Sequence, residues 1–74
     1  MMDAGTKDIQ IVVNGQLRAA PPGHRLSGLL VWLGIDTARV AVELNRSIVR
    51  RDDWDKTEVS DGASLEIVQF VGGG

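Results

Sequence analysis

The chain has 74 residues, of which 43% are hydrophobic and 24% charged, with a formal net charge of −2 and no cysteine. That length bounds it to one small domain, and the composition is that of a soluble globule, not of a disordered or strongly basic nucleic-acid-binding chain. Without cysteine there is no disulfide, no thiolate nucleophile and no thiolate-bound zinc, so packing alone must hold the core.

The opening "MMDAGTKD" lacks an apolar run behind a basic start, and no long uncharged hydrophobic stretch follows. A cytoplasmic protein is expected, with neither membrane nor nucleic acid as a partner. In "IQIVVNGQLRAAPPG" the apolar residues Ile9, Ile11 and Val13 alternate ahead of Asn14-Gly15, a favoured two-residue hairpin turn. Pro21, Pro22 and Gly23 close the second strand, because proline donates nothing to a ladder. The period then changes. In "LSGLLVWLG" Leu26, Leu29, Leu30 and Leu33 fall on one helical stripe, and Gly34 stands where helices commonly stop.

Strand character returns in "RVAVELN", where Val40, Val42 and Leu44 alternate, and Asn45-Arg46 turns the chain toward Ile48 and Val49. "RRDDWDKTEVSDGA" reads as polar and irregular apart from Trp54 and Val59, with a turn at Asp61-Gly62. The last strand, "SLEIVQF", turns Leu65 and Ile67 to the core and runs straight into Val71-Gly72-Gly73-Gly74. The expected architecture is α+β, one helix on one sheet, with residues 1–8 a flexible N-terminus, 9–71 the domain and 72–74 a flexible glycine tail.

A tail of this kind cannot cradle phosphate, since that needs a following helix. Its chemistry rests on glycine's free backbone and on the terminal carboxylate of Gly74. If Ile9, Ile11, Val40, Val42, Leu65 and Ile67 face the helix, then Val12, Ala41, Val68 and Phe70 lie on a face with no second layer. Val68 and Phe70 are therefore expected to anchor a partner, with Val71, Gly72 and Gly73 extending the contact.

Other residues invite readings that the pattern supports less. His24 beside Ser27 lacks a third orienting group, and Asp52, Asp53 and Asp55 lack a calcium-loop spacing, so a loop and a solvated turn are expected. Arg46, Arg50 and Arg51 form a short basic run that either meets an acidic partner or is a hydrated edge. Trp54 is assigned to the core and Trp32 to its border.

The element order together with "VELNRSIVRRDDW", "VSDGASLEIVQF" and "VGGG" resembles the ThiS family from Ile9 to Gly74. The features that carry the likeness are Asn45 after the third strand, the Arg51-x-x-Trp54 step, and Asp61-Gly62 placed ahead of Gly73-Gly74. Arg25 departs from the family's usual Ser or Thr cap, Ala63 from a frequent acidic residue, and Arg50 from a frequent proline. The resemblance implies a ubiquitin-like β-grasp, a mixed sheet whose first and last strands are parallel central neighbours, with the helix on one face.

It also implies a sulfur carrier of thiazole (thiamine) biosynthesis, and not an enzyme. Gly74 would be adenylated by an E1-like, ThiF-like enzyme using ATP and magnesium, converted to a thiocarboxylate by a persulfide sulfur donor, and presented to a ThiG-like thiazole synthase. The chain itself would bind no cofactor and no metal. Two alternatives stand beside this one: a MoaD-like carrier for molybdopterin or another sulfur-transfer path, and a noncovalent β-grasp interaction module.

Overall fold

The computed structural model describes residues 7–70. Positions 1–6 and 71–74 lie outside that range, and with them the expectations for Val71, Gly72, Gly73 and Gly74 and for most of the N-terminal segment.

Two hairpins flank a central strand. β1 (Ile9–Val13) and β2 (Gln16–Ala20) are antiparallel and joined by Asn14-Gly15, both with positive φ of 50° and 84°. Such torsions match a turn to the right-handed twist of its strands. β3 (Val40–Leu44) and β4 (Ser47–Val49) repeat the device at Asn45 and Arg46, φ 52° and 74°. An arginine there carries a cost of roughly 1–2 kcal/mol, offset because Asn45 pairs twice with Ser64: its N–H donates to the Ser64 carbonyl at 2.8 Å and its Oδ1 accepts from the Ser64 N–H at 2.9 Å. β5 (Ser64–Gln69) enters between the hairpins, parallel to β1 and antiparallel to β3, giving the order β2-β1-β5-β3-β4. The first and last strands are thus the parallel pair that the family resemblance implied.

The helix α1 (Leu26–Trp32) has seven residues, too short to persist alone. It exists because Leu26, Leu29 and Leu30 are buried against Ile11, Val42 and Leu65 of the sheet. Gly34 ends it in the left-handed region, as expected. Arg25 occupies the cap without a side-chain hydrogen bond. The work of a cap falls to the segment after Trp54: Thr57 accepts from the Leu26 N–H at 2.7 Å, the Asp55 carbonyl accepts from Arg25 at 3.2 Å, and the Asp55 carboxylate accepts from the Ser27 hydroxyl.

The stretch read as irregular is a 3₁₀ helix, Arg51–Lys56, lying against α1. Its five charged residues surround a single inward one, Trp54, so no apolar repeat announces it. Trp54 is 5% exposed and its indole N–H donates to the Val49 carbonyl at 3.0 Å. A second short 3₁₀ turn, Thr37–Arg39, also has no apolar signal; Asp36 caps it by accepting from the Ala38 N–H at 3.0 Å.

Asn14 does more than turn the first hairpin. Its side chain lies along β5 beyond the end of β1, accepting from the Ile67 N–H at 2.7 Å and donating to the Ile67 carbonyl at 3.2 Å. Asn14→Ala removes both bonds and leaves a Cβ residue at positive φ, so the expected loss is about 1–3 kcal/mol. Urea titration checks this; an unshifted midpoint would show that the bracket is inert.

Candidate docking face and tail

β5 sets the geometry of the site because alternate residues point to opposite faces of a sheet. Leu65 faces α1 and is fully buried, Ile67 packs on the same core, and Glu66, Val68 and Phe70 emerge on the side without a helix. Val68 is 56% and Phe70 58% exposed. The neighbouring strands extend this face by register: Ala41 lies opposite Val68, Glu43 opposite Glu66 and Ile48, and Val12 opposite Leu17 and Ser64. Leu17 and Ile48 are 70% and 74% exposed. The expected residues Val68 and Phe70 thus lie beside Ala41 on an uncovered sheet surface.

Leu17 and Ile48 belong to that surface and were missed. The signal was present in the hairpins, since Leu17 pairs directly with the outward Val12 and Ile48 directly precedes the half-buried Val49. Leu17 and Ile48 lie on the two edge strands, separated from Val68 by Ser64, Glu66 and Glu43, so the apolar group nearest the tail is Val68, Phe70 and Ala41. Exposed apolar groups gathered on one face mark an interface. Phe70 closes the face at its tail end, where its N–H donates to the Arg39 carbonyl at 2.7 Å. The chain then continues into Val71-Gly72-Gly73-Gly74.

The remaining candidates resolve into structural roles. Ser27 donates to Asp55 and not to His24, so no Ser–His pair forms. Among the described residues no group of acidic or histidine side chains is arranged to hold a metal ion. Of the three arginines offered to an acidic partner, Arg51 is engaged within the domain. It donates to the Thr37 and Ala38 carbonyls at 2.6 and 3.3 Å, and its guanidinium stands 4.7 Å from the Trp54 ring. The Arg51-x-x-Trp54 spacing thus places a guanidinium over the indole and ties it to the 37–38 turn. Among the described residues no helix is long and apolar enough to cross a membrane.

Comparison with known proteins agrees with this geometry. The ThiS family model matches residues 11–74. The sulfur carrier protein ThiS of Escherichia coli is 32% identical over 66 residues, covering 89% of this chain and 100% of that protein. A thiazole synthase of Paramagnetospirillum magneticum is 41% identical over 66 residues, but the chain spans only 20% of that protein's length. The crystal structure of the thiamine biosynthesis protein ThiS from Geobacter metallireducens superposes with a TM-score of 0.77 at 33% identity, covering 89% of this chain and all of that one. The parallel β1–β5 pair, the helix α1 packed on one face and the match through residue 74 have one common explanation: the chain is a β-grasp protein that belongs to the ThiS family.

Proposed function

We propose that this chain is a sulfur carrier for thiazole formation that works through the carboxylate of Gly74. The observation that carries the reading is the course of β5. It leaves the middle of the sheet beside an exposed apolar face, and the sequence after Phe70 is one valine followed by three glycines. The relative named as a sulfur carrier, similar over its whole length, supports the carrier role. The thiazole synthase with a similar stretch in one fifth of its length supports that enzyme class as the acceptor.

An ionised carboxylate is a poor acyl donor, because its charge and resonance disfavour nucleophilic attack. An E1-like, ThiF-like enzyme overcomes this: a Gly74 oxygen attacks the α-phosphorus of ATP, pyrophosphate leaves, and an acyl-adenylate forms. The terminal sulfur of a persulfide on the donor enzyme then attacks the acyl carbon and AMP leaves. A thiol cleaves the resulting acyl disulfide, delivering two electrons and freeing the thiocarboxylate. ATP and magnesium belong to the enzyme, and the carrier catalyses none of these steps.

The carrier's contribution is position. Docking through Phe70 and Val68 converts a dilute encounter into a local one. Gly72 and Gly73 have no Cβ, so they admit the tail to a narrow channel and leave the acyl carbon open to attack. The test is to incubate the native chain with a ThiF-type enzyme, ATP and a persulfide donor and to weigh it intact. Exchange of one oxygen for sulfur is the expected result. An unchanged mass with an enzyme that is active on its own carrier would instead favour a noncovalent interaction module.

A further inference from the structure

Resting on that reading, we infer that Asn14 is a positioning residue for docking: its side chain stands in for a strand beside β5 and holds Val68 and Phe70 in one arrangement for the adenylating enzyme.

β5 outruns its neighbour. β1 ends at Val13, opposite Leu65, and the last backbone contact on that side is the Asn14 N–H donating to the Leu65 carbonyl at 2.8 Å. On the other side β3 stays paired from Leu44 opposite Leu65 to Val40 opposite Gln69, and the Arg39 carbonyl accepts from the Phe70 N–H at 2.7 Å. The stretch that presents Glu66, Val68 and Phe70 thus has a strand along one edge only. On the other edge the Asn14 amide supplies both partners that a strand would. Oδ1 accepts from the Ile67 N–H at 2.7 Å, and Nδ2 donates to the Ile67 carbonyl at 3.2 Å. Ile67 packs on the core immediately before Val68, so the bracket grips β5 at the point where its outward residues begin to serve docking.

The residue type shows that the turn is not its whole purpose. At φ 50° ahead of Gly15, a glycine or an aspartate would serve a two-residue hairpin as well. Glycine has no side chain, and an ionised aspartate accepts but cannot donate, so neither closes both bonds to Ile67. Glutamine carries the amide but lacks asparagine's tolerance of the left-handed region. Asparagine meets both demands. A strand end bonded along one edge opens more readily than one bonded along both, and an enzyme docking on an open end must first order it at an entropic cost. The bracket removes that cost by setting Val68 and Phe70 in place beforehand.

Asn14→Gly separates the two roles, because it keeps the left-handed turn and deletes the bracket. It should fold, with a melting temperature lowered by about 5–10 °C. At a temperature where it is fully folded, its KM in adenylation by a ThiF-type enzyme should rise roughly 3- to 10-fold, the loss of about one hydrogen bond, with kcat within about 2-fold of native. Asn14→Asp, which keeps the bond from the Ile67 N–H, should fall between the two. Backbone amide relaxation of the free chains gives a readout that a loss of stability alone would not move. Order parameters for Val68 and Phe70 should be near about 0.85 in the native chain and fall toward about 0.6 in Asn14→Gly, while those of β1 and β3 hold. A native KM in the folded glycine variant, or low order parameters for Val68 and Phe70 in the native chain, would overturn the positioning role and leave the carrier reading intact. If the glycine variant does not fold, Asn14→Asp decides, and a native KM there overturns the role equally. Failure of the native chain to be adenylated would overturn both.

Discussion

Trp54→Ala is expected to leave most of the domain unfolded at room temperature. The ring is 5% exposed, within a core of twelve buried residues among those described. Its removal discards a large apolar burial, the indole hydrogen bond to Val49 and the stacking of Arg51. Truncations of this kind cost about 3–5 kcal/mol, and a domain below roughly 80 residues rarely has more than about 3–5 kcal/mol in total. The damage also propagates. The segment following Trp54 caps α1 through Thr57 and Asp55 and continues the 3₁₀ helix that packs on α1, so the helix loses its N-terminal partners as well. Far-ultraviolet circular dichroism and the urea midpoint would register this; a melting temperature lowered by only a few degrees would contradict it.

Phe70→Asp has the opposite profile, intact folding with impaired function. The side chain is 58% exposed and outside the core, so thermal stability should barely change. An aromatic anchor between the sheet face and the tail is worth about 2–4 kcal/mol, so kcat/KM for adenylation by a ThiF-type enzyme should fall at least about 30-fold. A carboxylate introduced just before the tail also adds like charge beside the reacting group. Glu43→Lys serves as a comparison on the same face, farther from the tail, and should change adenylation less. Equal activity of Phe70→Asp and the native chain would remove Phe70 from the docking surface.

Much of this fold was legible in the sequence because its strands alternate cleanly and its turns use distinctive dipeptides. Asn14-Gly15 and Asn45-Arg46 both adopt the left-handed torsions their hairpins require. The leucine stripe from Leu26 to Leu30 faces the sheet as its spacing predicted. The 3₁₀ helix around Trp54 was not legible, since one inward residue among charged neighbours carries no period. Nor was the bracket of Asn14 on Ile67: its two residues are 53 positions apart, and nothing local foretells the contact. The parallel pairing of β1 and β5 came from family likeness, because periodicity assigns faces and not neighbours. For the site, alternation placed Val68 and Phe70 outward, whereas Leu17 and Ile48 required the register of both hairpins.

The central claim is that Gly74 carries the reacting carboxylate. ATP–pyrophosphate exchange driven by a ThiF-type enzyme tests it most directly, comparing the native chain with one lacking Gly73 and Gly74 and one bearing a single alanine after Gly74. Exchange with the native end alone is the predicted result. Full exchange with either altered end would contradict the account.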